Sequence, residues 1–332
     1  MSHLLAPPAV QTEAPVSARA ERAPSISCIV PCRNEARNLA HLLPLLTQTL
    51  QRCTTAWEII LVDDGSTDAT PLLLAQWTRQ PGVRALQLSR NFGKEAALTA
   101  GLRAAHGDAV VMMDADMQHS PTLIPQFLEH WRAGADVAYA MRESRRDEGP
   151  LKRFGARLFY ALVNASGRFE VRAGAGDFRL MDRAVVDALL ALPERNRFMK
   201  GLYAWVGFEA VAVPYVPEAR AHGHSHFSPW RLARLSMAGL TAFTTWPLRA
   251  VSVLGFAMAL LALLYGSYLT VMYFIYGHDV GGWTTIVVSL MMFSGIQLFS
   301  LGVVGEYVGR IFVEVKARPL YVVKRELGRG LE

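Results

Sequence analysis

An α/β protein with a doubly wound sheet, followed by an interfacial amphipathic helix and two membrane-crossing helices, is the architecture this sequence predicts. Three observations carry that expectation. The aliphatic run Ala109-Val-Val-Met-Met stops on Asp114-Ala115-Asp116, as a buried strand does when it delivers acidic groups to its carboxyl edge. Strand-like runs alternate with helical ones over the first half of the chain, a pattern that favours parallel pairing. Two stretches, Ala250–Gly277 and Val280–Gly305, contain no Asp, Glu, Lys or Arg. Each exceeds the roughly 20 residues that cross a hydrocarbon core.

Taken in order, residues 1–24 are rich in Ala, Pro and Ser, lack a continuous apolar run, and read as a flexible tail. Residues 25–228 read as one cytoplasmic α/β domain. Ser25–Val30 is its first strand, and Pro31 is expected to force the chain out of it. Leu39–Leu50 has helical spacing. Glu58–Val62 is a second strand, ending at the turn Asp63-Asp64-Gly65-Ser66-Thr67-Asp68, with a helix from about residue 69. Val83–Leu88, a helix over Lys94–Ala105 and the strand Ala109–Met113 follow. Ser120-Pro121 reads as an N-cap with proline at the first helical position, opening a helix to about Trp131. Asp136–Ala140 is a fifth strand. Beyond Met141 the pattern loosens, and Gly174–Leu180 and Arg195–Gly207 mix glycine, aromatic and charged residues as site-building segments do. Residues 229–246 place apolar side chains among Arg231 and Arg234, which suits a helix lying in the membrane interface. The region 247–312 holds the two spans, about 250–276 and 283–305, and 313–332 reads as a tail.

Charge supports this layout. The net charge is +6 and 52% of the residues are hydrophobic, a high fraction that the two spans explain. Arg231, Arg234 and Arg249 precede the first span, and Lys316, Arg318, Lys324 and Arg325 follow the second. The loop at His278-Asp279 has no Lys or Arg, so the positive-inside bias puts the α/β domain and both termini in the cytoplasm. A basic chain here suits membrane lipids and a phosphorylated ligand, and no nucleic-acid-binding motif accompanies it. Cys28, Cys32 and Cys53 lack zinc-ligand spacing and read as reduced thiols.

The strand ends collect the chemistry: Asn34 and Glu35, then Asp63 and Asp64, then Asn91–Lys94, then Asp114 and Asp116. In a parallel sheet these converge on one crevice. Two carboxylates in an i, i+2 pair can hold a divalent cation against a diphosphate. Neither a Walker lysine motif nor G-x-G-x-x-G is present, which argues against an ATPase or an NAD enzyme. A sugar nucleotide fits the inventory. Arg142, Arg145, Arg146, Lys152, Arg153 and Arg157 form a basic cluster, either a solvated face or a phosphate site.

Val30-Pro31-Cys32-Arg33-Asn34-Glu35, Val62-Asp63-Asp64-Gly65-Ser66-Thr67-Asp68 and Asp114-Ala115-Asp116-Met117-Gln118 resemble the sugar-nucleotide motifs of family 2 glycosyltransferases with the GT-A fold, a Rossmann-like sheet. Ser89-Arg90-Asn91-Phe92-Gly93-Lys94-Glu95, Gly176-Asp177-Phe178-Arg179-Leu180-Met181 and Asn196-Arg197-Phe198-Met199-Lys200-Gly201 are more restrictive. They are similar to polyprenyl-phosphate glycosyltransferases, above all bactoprenol glucosyltransferases, with dolichyl-phosphate mannose synthases as distant kin. Gly305-Glu306-Tyr307-Val308-Gly309-Arg310 and Arg318-Pro319 match the bacterial group too.

The resemblance implies inverting transfer of a hexose, best taken as glucose, from a UDP-sugar to undecaprenyl phosphate at the cytoplasmic leaflet of a bacterial inner membrane. It implies Mg²⁺ or Mn²⁺ at Asp114 and Asp116. Pro31, Glu35, Asp63, Asp64, Gly93, Lys94, Asp114, Ala115 and Asp116 would bind the nucleotide sugar. Asp177, Asp116 and Gln118 would be catalytic, with Asp177 either a base or a group that positions the acceptor. Arg142, Arg145, Arg220 and His226 would meet the acceptor phosphate. Relatives carry an Arg-x-x-Arg pair and a Ser-Lys there, whereas this chain has Pro217 and His226 at two of those positions. His222, His224 and His226 read as a polar loop facing phosphate rather than a metal site. N-acetylhexosamine, galactose, aminoarabinose-type and GDP-mannose donors stay open, as does a homo-oligomer. A processive synthase would need a Gln-x-x-Arg-Trp motif, which is absent; a non-catalytic scaffold or flippase subunit is the alternative from another class.

Overall fold

The computed structural model describes Arg19 and residues 23–142, 161, 175–195, 197–215, 246–276 and 282–331. The interfacial helix expected at 229–246 falls outside these residues except for Trp246. The chain divides into two units, Met1–Ser228 with Pro319–Glu332, and Pro229–Arg318.

The first unit is built on one eight-stranded sheet. Its strands are β1 (Ile26–Cys32), β2 (Trp57–Asp63), β3 (Val83–Leu88), β4 (Ala109–Met112), β5 (Val137–Arg142), β6 (Ala175–Asp182), β7 (Ala210–Tyr215) and β8 (Val323–Gly328). The order across the sheet is β7-β5-β6-β4-β1-β2-β3-β8. Strands β3, β2, β1 and β4 form the expected parallel block. The sheet is not parallel throughout. Strand β6 enters antiparallel between β4 and β5, and β8 lies antiparallel along β3. An antiparallel strand presents its amino end where its neighbours present their carboxyl ends, so β6 brings Gly176 and Asp177 to the acidic edge.

The strands form because each alternates or runs apolar over a short span. Six of the seven residues of β1 are buried, and β2 is buried from Glu58 onward. Pro31 does not end β1. The strand continues to Cys32, with Pro31 paired to Val62 of β2. The last β1–β4 pair is Ile29 with Met112, so the missing N–H of Pro31 lies past the ladder on that side and costs no sheet bond.

Helices α1 (Ala36–Cys53), α2 (Thr70–Trp77), α3 (Lys94–Ala104), α4 (Ile124–Arg132), α5 (Arg183–Ala191) and α6 (Met199–Trp205) accompany the sheet. Helix α1 buries Leu39, Leu42, Leu43, Leu46 and Leu50 at helical spacing, while Pro44 sits on its exposed side. The segment after Ser120 begins as a 3₁₀ turn, Pro121–Leu123, and Ser120 makes no side-chain cap; its hydroxyl accepts from Thr122 instead. Helix α5 is capped by Asp182, which accepts the N–H of Ala184 and, on its other oxygen, the indole N–H of Trp131. Arg19, within the segment expected to be a free tail, pairs with Asp136 and Asp182 at 3.4 and 3.3 Å. The three cysteines are free thiols, and burial pushes the Cys28 and Cys32 thiols well up.

The segment 313–332 is not a tail. Residues up to Lys316 complete a helix, and Val323–Gly328 form β8, which pairs with β3. The second unit holds α7 (Trp246–Tyr276) and α8 (Trp283–Lys316). Ala250–Ile275 and Thr285–Lys316 are each long enough to cross a membrane, with a mean hydropathy of 2.0. Helix α8 runs on past 305, the expected end of the span, and Glu306 and Arg310 pair across one of its added turns at 2.9 Å. It stops where Ala317 turns left-handed, two residues before Pro319.

Candidate active site

The loops leaving β1, β2 and β3 lock one another at the carboxyl edge. Asn34 adopts a left-handed conformation, donates its backbone N–H to Ser66 Oγ and accepts the Thr67 N–H, at 2.9 and 2.8 Å. Glu35 donates its N–H to Thr70 Oγ1 and accepts from the Asn38 amide at 2.6 Å. Asp63 accepts the Ser66 N–H at 2.9 Å. Asp64, buried at the end of β2, spends both carboxylate oxygens on the N–H groups of Phe92 and Gly93, at 2.7 and 2.9 Å. Asp64 thereby clasps the Ser89–Gly93 loop.

Gly65 completes that clasp. Its φ is +71°, and a Cβ there would sit 2.7 Å from the backbone of Arg90 and Asn91. Gly65→Ala is therefore expected to cost about 1–3 kcal/mol, from the left-handed backbone and the displaced loop together. Chemical denaturation checks it: lower stability is expected, and a neutral substitution would show that the loop has room to move.

Behind the clasp stands Lys94, the first residue of α3. Its Nζ lies 2.6 Å from Asp114 Oδ1 and 2.6 Å from Asp177 Oδ2. One cation thus ties the end of β4 to the start of β6. Burial opposes the charge on Lys94, but Asp114 and Asp177 outweigh it and hold the ammonium above the ordinary lysine range. Burial likewise opposes the Asp177 carboxylate, and Lys94 outweighs it, holding Asp177 below the usual carboxylate range. Asp116 accepts the Gln118 N–H at 3.2 Å on the same turn. Ala115 packs in the core and can offer a ligand only its backbone. Gly93 has a φ of +100°, which glycine tolerates, and open space where a Cβ would be.

Several further groups were given no individual role by the sequence. Arg179 is buried on β6 with its guanidinium 3.5 Å from the Tyr203 ring centre, and it donates to the Gly176 carbonyl at 2.7 Å. It fixes the backbone one residue before Asp177. His119 shares a 2.9 Å hydrogen bond with the Tyr215 hydroxyl and leans on Phe178. Burial holds its imidazole below the ordinary histidine range, although Asp114 and Asp116 favour the charged form. A polar residue two or three positions from an acidic motif was the available signal for both. Arg197 instead terminates α5, donating to the carbonyls of Leu189, Leu192 and Glu194. The structure therefore unites Glu35, Asp63, Asp64, Gly93, Lys94, Asp114, Asp116, Gln118 and Asp177 along one sheet edge, with Pro31 just inside it. Arg142 ends β5, while Arg145, Arg220 and His226 lie outside the described residues.

Residues 27–190 match the Glycosyl transferase family 2 profile, and residues 246–311 match the GtrB C-terminal hairpin. A Shigella flexneri protein named as a prophage-derived bactoprenol glucosyl transferase is 41% identical over 301 residues, covering 90% of this chain and 97% of that protein. A prophage bactoprenol glucosyl transferase homolog of Escherichia coli is 40% identical over 301 residues, covering 90% and 98%. An uncharacterised glycosyltransferase of Synechocystis is 42% identical over 299 residues, covering 90% and 94%. Among solved structures, glucosyl-3-phosphoglycerate synthase from Mycobacterium tuberculosis aligns with a TM-score of 0.46 and 20% identity, over 68% of this chain and 79% of that one. The protein is a glycosyltransferase built on a GT-A-like mixed sheet. It belongs to glycosyl transferase family 2, and carries the GtrB hairpin that accounts for its two apolar helices.

Proposed function

We propose that the protein transfers a hexose, with glucose as the first choice, from a UDP-sugar to a polyprenyl phosphate at the cytoplasmic face of a bacterial membrane. The observation that carries this reading is the 41% identity to a bactoprenol glucosyl transferase over 97% of that protein, hairpin included. The carboxyl-edge crevice suits the chemistry. An acceptor phosphate oxygen attacks the anomeric carbon as the bond from that carbon to UDP breaks, which inverts the centre. The acceptor is already anionic near neutral pH, so Asp177 has little proton to remove, and its bond to Lys94 fits a positioning task. Arg142, with Arg145, Arg220 and His226, is assigned to the acceptor phosphate.

Asp114 and Asp116 fit a hard divalent cation in their oxygen chemistry. Among the described residues no group of three or more His, Cys, Asp or Glu side chains is placed to hold a metal ion by itself, so a Mg²⁺ or Mn²⁺ ion held here would complete its shell with substrate oxygens and water. Bound, it would offset the charge that gathers on the departing diphosphate. Lys94, the cation on Asp114, would add a second positive charge to this part of the site.

Assays with labelled UDP-sugars and undecaprenyl phosphate test the reading. Lipid-linked label from UDP-glucose is expected, and preference for GDP-mannose over every UDP-sugar overturns the donor assignment. EDTA should abolish transfer, with Mg²⁺ or Mn²⁺ restoring it. Asp116→Ala should lower kcat by about 100- to 1,000-fold with the fold intact. Full turnover by that variant, or indifference to chelator, contradicts the role given to the acidic pair.

A further inference from the structure

Glu95 follows Lys94 in the first turn of α3, where an acidic side chain ordinarily sits ionised in solvent and favours the helix dipole. Here its carboxyl group is buried. The Met199 N–H, at the start of α6, donates to it, while Oε2 is shut off from solvent and has no hydrogen-bond partner among the described residues. A carboxylate oxygen left bare in the interior is far more costly than a protonated one, so that oxygen is where a proton belongs.

The surrounding groups agree. Asp177 and Arg179 face Glu95 from β6, Lys94 from its own helix, Lys200 and Tyr203 from α6, and Arg197 from the residues just before α6. Three of the cations are engaged elsewhere: Lys94 on Asp114 and Asp177, Arg179 on the Gly176 carbonyl and the Tyr203 ring, and Arg197 on the carbonyls of Leu189, Leu192 and Glu194. Burial pushes the Glu95 carboxyl up, Asp177 pushes it further, and Lys94, the Met199 N–H and Lys200 reverse only part of the rise, leaving it at about 7.

We propose that Glu95 is a positioning residue that works in its protonated form, tying α3 to α6 behind the Lys94–Asp177 pair without adding a second negative charge beside it. Loss of its proton to solvent places a carboxylate next to Asp177. That carboxylate competes for Lys94 and repels the phosphates that must enter the crevice. The effect on rate rests on the donor and acceptor proposed above; the protonation itself does not.

The test has two arms. In the first, full-length protein in detergent, without substrate, is titrated from about pH 5 to about pH 9 and followed by infrared difference spectroscopy. A protonated-carboxyl band that disappears near pH 7 and is missing from Glu95→Gln is expected. In the second, initial rates and the apparent KM for lipid phosphate are compared across the same range. The wild-type rate should fall several-fold on the alkaline side as KM rises, while Glu95→Gln, permanently neutral, stays level. A merely structural Glu95 would lower Tm in the variant and leave the two pH profiles parallel. Parallel profiles, or a wild-type band titrating in the ordinary carboxylate range, overturn the proposal. Should Glu95→Gln fail to fold, the wild-type band and Glu95→Asp, which keeps a titrating acid, decide it. Absence of transfer with every donor would count against the proposed activity alone, since the infrared arm needs no substrate.

Discussion

Lys94→Met is expected to lower transfer by about 100- to 1,000-fold, the usual loss when one charge-stabilising donor leaves a reaction centre. Methionine keeps the unbranched stem and removes the ammonium that lies 2.6 Å from both Asp114 and Asp177. Stability should change with a recognisable pH signature. In the wild type the depressed Asp177 contributes stability that is present above its unfolded pKa and lost as pH falls through its folded value. The raised Lys94 contributes stability present below the ordinary lysine value and lost as pH climbs through its folded value. Without Lys94, only Lys200 and Arg179 remain to oppose burial at Asp177, so the variant should be most destabilised near neutral pH and recover as acid protonates Asp177. Thermal melts should show a wild-type-to-variant gap that is wide at neutral pH and closes below about pH 4. A gap independent of pH, or full kcat in the variant, would remove Lys94 from the centre of the site.

Local pattern carried much of this site, and its limits are physical. The ends of β1, β2, β3 and β4 were legible because an apolar run that halts on Asp or Asn marks a buried strand reaching its polar edge. Lys94 was legible as a strand-end residue, but its bridge was not. That bridge depends on β6 entering antiparallel beside β4, a pairing between segments distant in sequence that has no local signal. Strand β6 itself was obscured by Asp177 and Arg179, whose charges hide a core strand with Phe178, Leu180 and Met181 buried. Pro31 misled for a related reason: proline stops a strand only where its N–H would have been used, and the neighbouring strand decides that. Glu95 has the look of an ordinary first-turn acid until Met199 and Asp177 are placed around it.

The same reasoning exposes β8, which no periodicity announced, since Val323-Lys-Arg-Glu-Leu-Gly is short and charged. Removing residues 319–332 is expected to destabilise the first unit by about 3–5 kcal/mol, a loss confined to mutations that strip a packed element or strand a buried charge. Strand β8 pairs with β3 from Leu88 back to Arg84, and Leu327 packs on the core. Arg84 holds Glu326 at 2.6 Å and the fully buried Glu58 at 3.4 Å, while Glu58 also accepts the Leu331 N–H. The truncation would therefore weaken the setting of a buried carboxylate and leave β3 as a bare edge prone to aggregation. The effect should reach the crevice, because the Ser89 N–H donates to the Val322 carbonyl at the root of the loop that leads to Lys94. Donor KM is expected to rise along with the fall in Tm. Glu326→Ala removes only a half-exposed carboxylate and leaves Arg84 its bond to Glu58, so it should cost under about 1 kcal/mol, which separates the strand's contribution from that of its charge. Melting and donor titration of the two proteins side by side measure this, and a truncated chain with wild-type Tm and donor KM would make β8 an appendage rather than part of the fold.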